Sequence, residues 1–202
     1  PTPPIGTFRN VNLSDIIATR AGRIGCSITG LAGHRVENVT LSNISLEFEG
    51  GGKREAAGKI VAERPEAYPE SRMFGELPAY GVFARHVQGL RLRDVRVSTL
   101  APDARHAFVA DDVRDLELAG LRTDSTAGSA AVVRLTDVTD ADVRDCRPLG
   151  AAEVFLAIEG DATRRVALIA NDLTRVERPI DRAKTVPAAA VRESADLVRP
   201  TP

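Results

Sequence analysis

The chain has 202 residues, 27 basic against 28 acidic side chains, 43% hydrophobic residues, 4% aromatics and no tryptophan. A net charge of −1 gives no electrostatic reason to expect a nucleic acid or an anionic membrane as partner. No apolar run approaches the roughly 20 residues of a membrane-spanning helix, and the aliphatic bias suits one domain with a narrow core of Val, Leu, Ile and Ala.

Taken from the start, the first recognisable phrase is Phe8, Val11, Leu13 and Ile16, with Asn10 and Asp15 set just before an apolar position. It recurs as Val36, Val39, Leu41, Ile44 and Leu46 with Asn38 and Asn43, and as Val87, Leu90, Leu92, Val95 and Val97 with Gly89 and Asp94. Val113, Leu116, Leu118 and Leu121 follow with Asp115 and Gly120, then Val138, Ala141, Val143 and Cys146 with Asp140 and Asp145. Val166 and Ile169 open a sixth copy that degrades after Asn171. Steps of two are strand alternation, and steps of three skip a residue at a bend. Asn, Asp and Gly at those bends tolerate a left-handed backbone. Successive copies start about 25 to 28 residues apart, apart from one gap of about twice that, the mark of a solenoid.

No segment between the phrases carries an apolar stripe of helical period, which excludes a helical return. Instead each phrase is preceded by one more strand: Cys26–Ile28, Tyr80–Phe83, Ala107–Val109, Ala131–Val133 and Val154–Ile158. The predicted fold is therefore all-β, a single-stranded parallel β-helix of about six coils spanning residues 1–176. Each coil turns four or five apolar side chains inward, worth roughly 1.5 to 3 kcal/mol apiece when buried, against roughly 1 to 2 kcal/mol per residue of backbone ordering. One coil cannot stand alone, and the stack is the stable unit.

The first coil is expected to present an open edge, to be covered either by missing coils of a longer chain or by self-association. Cys26 and Cys146 fall in different coils, too far apart for a disulfide. The long gap, residues 49–79, reads as one insertion: a polar glycine-rich half, then a half holding Met73, Phe74, Tyr68 and Tyr80 that folds back on the coil surface. Long insertions on regular scaffolds tend to carry function. The tail 177–202 leaves the pattern and suggests a turn and a short alanine-rich helix over the last coil, before Arg199-Pro-Thr-Pro frays.

The runs Gly25–Ile44, Gly50-Gly-Gly52, Tyr68-Pro-Glu70, Met73–Gly81 and Arg85-His-Val87 resemble the C-terminal part of bacterial polygalacturonase-type glycoside hydrolases, glycoside hydrolase family 28. The resemblance covers about residues 5 to 125. It implies a right-handed β-helix of the pectin-lyase-like kind, inverting hydrolysis of galacturonate-containing polysaccharide such as pectin, and a secreted or periplasmic setting. The family's Asn-Thr-Asp, Asp-Asp, Gly-His-Gly and Arg-Ile-Lys motifs lie upstream of the matched region, and none is carried here at a matching position. No catalytic residue is therefore assigned, and no cofactor or metal is called for.

On this reading the chain supports catalytic coils and the insertion forms one wall of a saccharide groove. Arg72 and Arg85 would meet carboxylates of an oligogalacturonate, Tyr68 or Tyr80 would stack on a sugar face, and His86 is the candidate functional histidine. The alternatives are a stand-alone, non-catalytic carbohydrate-binding module and a structural or assembly β-helix. Asp111 and Asp112 are a poor acid pair, because neighbours in a strand point opposite ways and an inverting site needs carboxyls about 6.5 to 9.5 Å apart across the sugar. Asp137, Asp140, Asp142 and Asp145 lack the glycine and terminal glutamate of a calcium loop.

Overall fold

The computed structural model describes residues 5–198, so Pro1–Pro4 and the expected fraying at Arg199–Pro202 lie outside it. In chain order the elements are β1 (Arg9–Ala21), β2 (Cys26–Thr29), β3 (Val36–Gly50), the single-turn helix α1 (Arg54–Ala57), β4 (Ala79–Ala101), β5 (His106–Ala119) and β6 (Arg122–Thr123). Then come β7 (Val133–Thr136), β8 (Thr139–Arg144), β9 (Arg147–Pro148), β10 (Ala152–Glu159), β11 (Arg164–Ile169), β12 (Asp172–Leu173), β13 (Val176–Arg182), β14 (Val191–Ser194) and β15 (Leu197–Val198). All thirteen strand pairings among the described residues are parallel: Val39 pairs Val11 and Leu90, Leu116 pairs Leu90 and Ala141, and Val166 pairs Ala141 and Val191. The chain is a parallel β-solenoid of about seven turns.

The register lines up the expected apolar residues as columns. Leu13, Leu41, Leu92, Leu118, Val143 and Leu168 occupy one column along the stack, and those from Leu41 onward are buried in one continuous core. The bends are left-handed where the residue types call for it. Asn10, Asn38, Gly89, Asp115 and Asp140 stack at one corner and Asp15, Asn43, Asp94, Gly120 and Asp145 at another, all at positive φ. Corner side chains reach along the stack: Asn38 Nδ2 donates to Asn10 Oδ1 (3.1 Å) and Asn43 Nδ2 to Asp15 Oδ1 (2.7 Å). Where a carboxyl leans over the next coil instead, only glycine fits, since a Cβ at Gly160 would sit 2.3 Å from Asp137 Oδ1.

Two expectations about the C-terminal part are corrected. The sixth copy does not degrade: Val166 lies opposite Ala141 rather than Val138, so the copy begins three residues earlier and runs Val166, Leu168, Asn171, Leu173. Among the described residues of the tail, the expected alanine-rich helix is a single 3-10 turn at Ala188–Ala190 behind Pro187, and β13, β14 and β15 add a seventh coil in place of a cap.

That last coil closes the core chemically. The Leu168 column ends in Glu193, and above Cys146 the inward position is Asn171, fully buried, which donates from Nδ2 to Val143 O (2.9 Å) and Asp196 Oδ1 (2.8 Å). At the other end the same columns finish in Phe8, Leu13 and Ile16, which are 58%, 45% and 37% exposed. Among the described residues, the C-terminal end puts polar groups on two core columns beside the exposed Leu197 and Val198, whereas the N-terminal end leaves its columns as hydrocarbon.

Candidate functional site

The insertion is a strap. It leaves β3 at Gly50 and returns at Ala79, crossing the outer face of the strands that open coils two to six. Outward alternation explains why it stays there: Val82 and Phe108 point into the main core, so Phe83 and Val109 point out, and they form a second apolar cluster with Val61, Leu77 and Ala79, flanked by Ile24 and Phe74. Burying four such large side chains is worth roughly 1.5 to 3 kcal/mol each.

Polar anchors fix its path. Asp103 and Arg105, both almost fully buried, form a 2.8 Å ion pair that grips both ends of the strap. Asp103 Oδ2 accepts from Gly52 N (2.8 Å), Arg105 Nη1 donates to Leu77 O (3.2 Å), and Arg105 Nη2 reaches Arg23 O (3.0 Å). Burial pushes the Asp103 carboxyl up, but Arg105 and the Gly52 amide outweigh it and hold the group below its usual range. Further along, Arg54 Nη1 donates to Gly128 O (2.6 Å) and Ser129 O (2.8 Å), and Arg134 Nη1 donates to Ala57 O (2.7 Å).

The candidate saccharide residues are not brought together. Tyr80 is buried in the main core and its hydroxyl donates to the backbone oxygen of Asp124, with burial raising its pKa, so it presents no ring face to a sugar. Arg85 is buried under the strap, which corrects its assignment to a substrate carboxylate. Its guanidinium lies 5.5 Å from the Phe74 ring centre and 5.7 Å from that of Phe83, and Nη1 donates to Val61 O. Arg85 Nε sits 3.3 Å from Glu63 Oε1, an ion pair without the alignment of a hydrogen bond. Tyr68, 83% exposed, and Arg72, also exposed, stand on the outer turn of the strap.

His86 is the centre of a polar network instead. It occupies a left-handed corner, as Asp112 does one coil on. Its Nδ1 is 2.7 Å from Asp112 Oδ2 and its Nε2 is 3.0 Å from Glu63 Oε1. Arg35 donates to Asp112 Oδ1 (2.5 Å) and to Asp112 O (2.6 Å). Burial raises the Asp112 carboxyl, and the hydrogen bonds from Arg35 and His86 bring it below normal. Asp111 faces the other way, opposite Arg85 and Thr136, where burial raises its pKa against the pull of Arg85, His86 and Arg134. The two aspartates thus face opposite ways and have different hydrogen-bond partners.

An open cleft of about 860 Å³ lies on another face over β8 and β11. Nothing in the sequence pattern singled it out. Its charges answer one another: Glu117 takes 2.6 Å ion pairs from both Arg93 and Arg144, which hold its carboxyl low, and Arg91 pairs with Asp115 at 2.8 Å. A floor so neutralised offers weak attraction to a charged ligand, and exposed pairs of this kind contribute little to stability. No family model, curated protein or solved structure matches this chain.

Proposed function

We propose that the chain is a non-catalytic supporting stack of a polygalacturonase-like β-helical glycoside hydrolase, a base on which further coils bearing the catalytic carboxylates sit. The residue resemblance over about 5 to 125 and the solenoid fold support this reading. The observation that carries it is the contrast between the two ends. Core columns that meet Glu193, Asn171 and Asp196 at one described end and are left as Phe8, Leu13 and Ile16 at the other make the second end the better seat for further coils. Of the residues expected to meet galacturonate, Tyr68 and Arg72 keep their side chains free on the strap, which gives the groove wall its available groups; Tyr80, Arg85 and His86 hold the strap and coils together.

The test compares the complete product of the encoding gene with the segment Pro1–Pro202 on polygalacturonate, by release of reducing ends. The complete product is expected to hydrolyse the polymer and the segment alone to leave it intact. Turnover by the segment, or an inactive complete product, would sink the reading. The bare edge also favours a second reading, an assembly module that pairs with another copy. Sedimentation of the complete product distinguishes it, because only that reading expects a reversible dimer.

A further inference from the structure

His86 is clamped between two carboxylates that belong to different parts of the molecule. Asp112 is part of the coil wall on β5, while Glu63 is part of the strap. A carboxylate only accepts, so both ring nitrogens can donate only while the ring carries its second proton. Imidazole is the side chain whose charge ordinarily changes between about pH 5 and 8.

We infer that His86 is a proton-dependent latch for the strap, closed while the imidazole is charged and released at the Glu63 side when it is neutral. The asymmetry of the two contacts decides which one breaks. Asp112 cannot follow or leave the ring, since Arg35 holds both its carboxyl and its backbone oxygen. A neutral ring therefore keeps its remaining N–H on Asp112 and turns an acceptor towards Glu63. Glu63 is the mobile partner, with 44% of its side chain exposed against 14% for His86.

The other charges around the ring set the size of the effect rather than its sign. Arg85, next along the strand, lies 3.3 Å from Glu63 and is a tether independent of the ring's proton, and Asp111 and Arg35 belong to the wall. Release is thus a loosening of the strap rather than its loss. It acts where the strap covers Phe83 and Val109, so deprotonation raises access to that apolar strip. The latch concerns the strap alone and stands whether or not further coils occupy the open end.

Native-state hydrogen exchange read by mass spectrometry, with rates expressed as protection factors, tests it at about pH 5.5 and about pH 8. Strap residues 59–66 are expected to lose protection about three- to fivefold at the higher pH, the worth of one half-exposed charge-assisted hydrogen bond, while β5 stays level. In Glu63→Ala and His86→Gln the strap should sit at the low value at both pH values. Unchanged protection in the wild type overturns the latch, as does an undiminished drop in Glu63→Ala. Because Glu63 lies at the surface of the strap, that variant decides the matter even if His86→Gln does not fold.

Discussion

His106 shows what burial does to one titratable group in this core. It sits behind the strap, donates from Nδ1 to Ala131 O at 2.6 Å, and is lowered to about 4 by burial and by the charges of Arg134 and Arg54. The unfolded chain binds that proton below about pH 6.5, whereas the folded one binds it only below about 4. Stability should therefore fall as pH drops through this window, by up to on the order of 3 kcal/mol. Urea unfolding at stepped pH checks the sign, and His106→Gln should flatten the slope. Asp103 and Asp112 act in a separate window. Their carboxyls lie below normal in the fold, so their stabilisation is lost only as pH falls through the lower range, beneath about 3.9. Residue chemistry also marks where sequence reading succeeds. Every Asn, Asp and Gly placed at a bend from Asn10 to Asp145 has positive φ, but so do Arg165, Ala170 and Ala195. Their types carry no left-handed signal; the coil beneath imposes the bend. The sixth and seventh coils therefore carry no corner signal in their residue types at these bends.

At the scale of the element, the two terminal coils differ in a way that strand pattern alone does not show. β1 runs for 13 residues with one edge paired to β3 and the other unpaired among the described residues, while β14 carries Glu193 where an aliphatic column would continue. Free edges invite strand addition, and inward charges are a recognised way to prevent it. Replacing Glu193 and Asp196 by leucine should let the more polar end accept the bare one and convert discrete particles into open-ended filaments. Electron microscopy would show them, and adding Leu13→Glu should abolish them. Filaments unaffected by Leu13→Glu would mean that β1 is not the accepting edge. The strap's fate was partly legible: Phe74 does fold back on the coils, as its composition suggested. The burial of Arg85 and Tyr80 was not legible, because it depends on Asp103 and Arg105 gripping Gly52 and Leu77, contacts between segments far apart in the chain.

For the whole molecule, the strap changes how the stack should unfold. In a repeat protein each coil touches only its neighbours, so stability is a sum of local terms and cooperativity can break down along the array. Here Arg54 and Ala57 reach Gly128, Ser129 and Arg134, and Arg54 lies 3.7 Å from Glu153. Those ties bridge coils that are not adjacent. Replacing residues 53–76 with a short Gly-Ser linker should therefore broaden or split the thermal transition as well as lower it, and scanning calorimetry would report the van't Hoff enthalpy falling below the calorimetric one. A single sharp transition, merely shifted, would show that the coils already unfold together.

The strap is made early and finished late. Its Ala57 anchor must wait for Arg134, 77 residues further along, which at about 5 to 20 residues per second is a delay on the order of ten seconds on the ribosome. Until Asp103 and Arg105 grip the strap's ends and Arg134 its middle, Phe83 and Val109 lack their full cover on the nascent chain, so synthesis of this protein passes through a stage in which a greasy stripe is on offer to chaperones.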